Sequence, residues 1–203
     1  MLGEAKGGIE GLGMDAIRRV KEKLYDLMLD HLEIEGYPTE ADPDFKEANI
    51  SDLVLFIISP IISDFKRKTG RKVSLLREEE VLSRDGETSG YEEFVVVDTI
   101  TVLEEMFVFV IEARRSSLGE AMKQCLLAMK DVRDNNGGGR VYGFVTTGES
   151  WRMLGYDGTS FALTEKIEVL FEGMYRDKER WMSDYSVIVD CMNVALSDES
   201  FSC

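Results

Sequence analysis

The sequence predicts a mixed α/β fold of the α+β kind: a central mixed sheet of about four to five strands flanked by helices, with extra helices at both ends of the chain. Three observations carry that expectation. Before residue 70, apolar residues recur at helical spacing, as in Ile17, Val20, Leu24, Leu27 and Met28. After it, RKVSLLREEEV, YEEFVVVDTITV and MFVFVIEA are rich in the β-branched and aromatic residues that suit a pleated surface. Finally, a strand, a helix and a second strand follow one another from residue 107 onward, an order that favours parallel pairing of the two strands.

The first helix is expected from Met14 to Leu32, and GYPTEADPDF, with Pro38 and Pro43, breaks it. A second runs from an N-cap at Ser51 to Lys68, with Pro60 as a kink point and Thr69-Gly70 as its end. The polar stretch SRDGETSG separates the first two strands, and Leu103 to Met106 reads as the hairpin turn between the second and third. Ser117 and Glu120 form a capping-box pattern, followed by a helical stripe of Leu118, Met122, Cys125, Met129 and Val132. RVYGFVTTG and WRMLGYDG read as strands, and residues 165–172 and 177–197 as closing helices. Residues 1–45 form an N-terminal helical extension in this reading, and 46–203 the sheet-bearing domain.

Composition narrows the chemistry. In 203 residues, 44% are hydrophobic and 31% charged, enough for a real core under a solvated surface. DLVLFIISPIISDF is flanked by acids and reads as a buried helix rather than a membrane span, and MLGEAKGGIEG lacks the apolar run of a secretory signal. Three cysteines without a CxxC pair suggest reduced thiols in an intracellular compartment. The single histidine, His31, is expected at the surface near a helix end, and it excludes a histidine-rich zinc site or a Ser-His-Asp triad. A metal would have to be held by oxygen, as Mg²⁺, Mn²⁺ or Ca²⁺ are. The net charge of −15 repels nucleic acid at long range and favours a protein partner with a basic surface.

The stretch FVFVIEARRSSLGEAMKQ sets Glu112 and Arg114 two apart at the end of an apolar strand. In a hairpin centred on Glu105, Asp98 lies opposite Glu112, and Arg114 points to the same face. Two carboxylates so placed repel unless a cation lies between them; Mg²⁺ or Mn²⁺ suits, with the Ala113 carbonyl as a further ligand. Spacing alone favours the plainer alternative, in which Asp98 ends a strand and Glu112 forms a surface salt bridge with Arg114 or Arg115.

The arrangement resembles the PD-(D/E)XK nuclease superfamily, with its helix, three-strand meander, helix and strand, an acidic residue on the second strand, E-x-K on the third and a glutamine on the next helix. The longer stretch from IEARRSSLGEAMKQ to WRMLGYDG is similar to fungal, Crinkler-effector-like members, and the likeness covers roughly residues 91–197, about half of the chain. The resemblance implies a restriction-endonuclease-like core within 46–203 and metal-dependent hydrolysis of phosphodiesters, in DNA ahead of RNA, with nuclear action. It implies catalytic roles for Asp98, Glu112, Arg114 and Gln124, metal ligation by Asp98, Glu112 and Ala113, and substrate contacts from Lys123, Lys130 and a base-stacking Trp151. An early acidic residue, Glu47 or Asp64, completes the set, with the choice open. The departure is Arg114, where the family pattern has lysine: a guanidinium keeps its proton and cannot serve as a base. Whether the chain is an enzyme or an inactive nuclease fold that binds nucleic acid or protein therefore stays open.

Overall fold

The computed structural model describes residues 13–38, 46–82, 89–101, 104–115 and 118–198, with the backbone alone for 79–82, 89–92 and 104. Ser117, expected as a cap, Leu103 of the expected turn, Val102 and most of SRDGETSG lie outside the described residues.

Helix α1, Met14–Glu35, buries the stripe Ile17, Val20, Leu24, Met28 and Leu32. Helix α2, Glu47–Thr69, starts a full turn before the expected cap at Ser51. Its true cap is Lys46, whose backbone N–H donates to Asn49 Oδ1 at 2.8 Å. The helix continues through the buried Pro60 and ends at Gly70, whose φ of 72° suits a left-handed C-cap. It is long and apolar enough to cross a bilayer, yet Ile50, Leu53, Val54, Ile57, Ile58 and Phe65 lie in the core, as a buried helix requires.

Seven strands form one mixed sheet, more than the four to five expected. Strands β1 (Val73–Leu82), β2 (Ser89–Thr101) and β3 (Glu104–Ala113) form an antiparallel meander. Helix α3, Leu118–Asn135, crosses over to β4, Val141–Thr146, which pairs with β3 in parallel. Strand β5, Ser150–Tyr156, returns antiparallel to β4. The surplus strands are β6 (Phe161–Leu163) and β7 (Ile167–Glu168), both paired to β5. Residues 165–172, expected as a helix, carry β7 instead; Ile167 pairs with Trp151, and Val169 N–H donates to Glu149 O at 2.8 Å. A short apolar run has no periodicity that distinguishes the two states. The C-terminal segment is helical as expected, through turns at Lys178–Arg180 and Trp181–Tyr185 into α4, Val187–Ser197.

Alternation of side chains divides the core. Phe94, Val96, Ile111, Phe144 and Trp151 face α1, α2 and α4, whereas Val95, Val97, Val110 and Val145 face α3. His31 is buried rather than at the surface; its ring packs on Phe56 with centroids 4.6 Å apart. Desolvation holds its pKa below the ordinary value. Cys125 and Cys191 are buried thiols, as their apolar stripes suggest.

Helix α3 sits so close to β4 that a methyl group on Gly143 would overlap Cys125 Sγ and lie 2.7 Å from Met129 Sδ. Gly143→Ala is therefore expected to cost about 1–3 kcal/mol by overpacking, read as a lowered midpoint in urea unfolding.

Candidate functional site

The β2–β3 register decides which acids meet. Phe94 pairs with Ile111, so continuing one residue outward brings Glu93 beside Glu112. Asp98 instead pairs with Met106, and the expected apposition of Asp98 and Glu112 does not form. The reason lies in the turn. Glu104 and Glu105 belong to β3, pairing with Thr101 and Thr99, so the hairpin centre falls near residues 102–103 rather than at Glu105. Moving the centre by two to three residues moves every cross-strand partner by about twice that.

Asp98 serves elsewhere. It is 5% exposed and accepts a 2.7 Å bond from Arg71 Nε, while Arg71 Nη1 donates to Leu196 O at 2.7 Å. The pair ties β2 to the end of α4, about 17 Å along the strand from Glu93 at the usual rise per residue. Asp98→Asn is expected to lower stability by about 1.5–3 kcal/mol, the range for hydrogen bonds to charged groups. Thermal unfolding of the variant beside the wild type checks it.

Glu112 is the unusual group. It ends β3 on the α3 face, is 0% exposed, and both carboxylate oxygens are buried without a hydrogen-bond partner. An ionised carboxylate in such a place costs several kcal/mol unless a cation compensates it. Arg114 Nη2 approaches Oε2 to 3.5 Å, longer than the roughly 2.7–2.9 Å of a charge-assisted bond. The guanidinium is drawn away by stronger partners: Gln124 Oε1 on α3 at 2.7 Å and Ala113 O at 3.1 Å. Glu47 Oε1, in the first turn of α2, lies 3.7 Å from Nη1.

Glu93 supplies the second carboxylate. It accepts from the Ala113 N–H at 3.1 Å and from the Ser51 hydroxyl of α2. Burial raises its pKa above the ordinary 4.5, and the charge of Glu112 pushes in the same direction; the two hydrogen bonds and Arg114 oppose them. A raised carboxyl pKa means that the folded state holds its proton to higher pH than the unfolded chain. That contribution to stability is complete below about 4.5 and is lost as pH rises through the folded value. Glu93→Gln is accordingly expected to flatten the decline of stability above pH 4.5 and to raise the neutral-pH melting temperature. Thermal unfolding across that range reads both.

The other sequence-derived residues separate cleanly. Glu47 stands at the site, whereas Asp64 pairs with Lys68 and Arg67 more than four turns further along α2. Gln124 reaches the site through Arg114, and Lys123 and Lys130 are exposed on α3. Trp151, expected to stack on a base, is 0% exposed and donates to Gly148 O at 3.0 Å, so it is core. Glu93 was missed; its signal was the run YEEFVVV, where an acid directly precedes the buried strand.

Among the described residues no group of three or more Asp, Glu, His or Cys side chains converges as a metal cage. What does converge is two carboxylates, one of them bare of hydrogen bonds, and the Ala113 carbonyl. That set fits Mg²⁺ or Mn²⁺, which are held by one or two carboxylates and complete their shell with water, better than the many-oxygen cage of Ca²⁺. The cavity of about 850 Å³ between α1 and the C-terminal helical segment is a weaker candidate, because its cations are already matched as Arg18–Glu22, Lys21–Asp190 and Lys178–Asp26. Compared with protein-family models, curated proteins and solved structures, the chain matches none.

Proposed function

We propose that the carboxylates of Glu93 and Glu112 bind Mg²⁺ or Mn²⁺ and make this chain a nuclease-like domain that hydrolyses phosphodiesters, in DNA ahead of RNA, at a rate limited by Arg114. The observation that carries the reading is the Glu112 carboxylate, buried with neither oxygen hydrogen-bonded, beside a second carboxylate. The order of helix α2, meander β1–β3, helix α3 and parallel strand β4 supports it. So does the chain of acidic groups Glu47, Glu93 and Glu112, with Arg114 and Gln124, at one end of the sheet.

Glu112 and Glu93 would hold the ion with the Ala113 carbonyl, and the ion would supply polarisation of a phosphoryl oxygen and a more acidic water. Arg114, always charged, neutralises the negative charge that builds on the phosphoryl group. It cannot take a proton from the attacking water, and no described histidine stands near to do so. Lys123, exposed on α3 one residue before Gln124, would meet the phosphate backbone in this reading. Arg114 also supports a second reading, a fold that has lost catalysis and serves as a binding module in the nucleus, since its guanidinium already engages the site's acceptors.

Plasmid cleavage with Mn²⁺ separates the two. The enzyme reading expects slow nicking by the wild type, about tenfold or more faster nicking by Arg114→Lys, and none by Glu112→Gln or Glu93→Gln. Absence of cleavage in wild type and Arg114→Lys, both folded, overturns it and leaves the binding module.

A further inference from the structure

We infer that Arg114 is a tethered cation that closes this site: its guanidinium occupies the ligand set of the divalent ion, and ion and guanidinium bind in competition. The inference rests on the metal site proposed above and adds its regulation. The acceptors around Arg114 are the oxygens a Mg²⁺ or Mn²⁺ ion would take or lie beside. Ala113 O stands 3.1 Å from Nη1, Glu112 Oε2 3.5 Å from Nη2 and Glu47 Oε1 3.7 Å from Nη1. Gln124 Oε1, at 2.7 Å, is the shortest contact and latches the guanidinium in place from α3. The hold on Glu112 is loose, since neither carboxylate oxygen gains a hydrogen bond from it. A small divalent ion satisfies such a carboxylate better than a guanidinium held off by its other partners.

Displacement has somewhere to go. The Arg114 side chain is 30% exposed and the adjoining Glu47 57%, so the guanidinium can swing to solvent while Glu112, at 1%, stays. There an anionic phosphate would draw it further, coupling substrate arrival to ion binding.

Isothermal titration of Mn²⁺ into the full chain tests this. Arg114→Ala is expected to bind Mn²⁺ about tenfold more tightly than the wild type, with Arg114→Lys between them because an ammonium lacks the planar fork that spans several acceptors. Binding in every case should vanish with Glu112→Gln, and the Mn²⁺-induced rise in melting temperature should be larger in Arg114→Ala. Equal or weaker affinity in Arg114→Ala, with binding still dependent on Glu112, overturns the competition and leaves the metal site standing. Absence of Mn²⁺ binding in folded wild type and folded Arg114→Ala alike overturns both.

Discussion

A carboxylate at the end of a buried strand needs positive charge close by, and much of the sheet end is arranged around that need at Glu112. The preceding residues of β3 on the same face are hydrocarbon, and α3 covers them. Water is therefore excluded from Glu112, and the Coulomb attraction of any nearby cation is stronger there than at the surface. Arg114 answers the charge from just past the end of the same strand, but at 3.5 Å it answers it incompletely. The same guanidinium is shared with Glu47 of α2 and Gln124 of α3, and Glu93 on β2 adds a second carboxylate beside Glu112.

Packing fixes where those groups stand. Helix α3 comes down on β4 at Gly143 because no Cβ intervenes, and the parallel crossover then sets Gln124 over the end of β3. On the other face α2 starts beside β2, so that Ser51 meets Glu93 and Glu47 meets Arg114. The site thus depends on two independent helix placements, and neither is made by the site's own polar contacts. Scaffold stability and site chemistry are separable for this reason: Asp98 with Arg71 braces the far end of β2 without touching Glu112.

Much of this was legible in the sequence where a pattern is local. Glu112, Arg114 and Gln124 lie within thirteen consecutive residues that run strand, turn and helix, and the structure joins them through a 2.7 Å bond. The partner on β2 was not legible, because a hairpin register depends on the turn centre and LEEM offers no glycine or asparagine to mark it. The β-bulge between Val96 and Val97 shifts the register again in a way no periodicity announces. Strands β6 and β7 escaped for another reason. Each is only two or three residues long and is defined by pairing to β5, which is a tertiary fact. His31 misled because a polar residue on a helix reads as exposed, whereas its ring packs as an aromatic against Phe56.

The net charge of −15 and the proposed polyanionic substrate stand in tension, and the geometry indicates how the tension is reduced. Repulsion between exposed charges fades beyond a Debye length of about 8 Å in physiological salt, so what matters is the charge within that distance of Glu112. Near it, Glu93 adds negative charge, and the Arg114 guanidinium that faces Glu112 is shared with Glu47. With Arg114 folded inward the site offers a phosphate little attraction. Under the proposed competition, a divalent ion would reverse this twice, by adding its own charge and by freeing the arginine to face solvent. In that proposal Arg114 partly neutralises an acidic site when no ion is present, at the expense of the proton transfer that a lysine would permit.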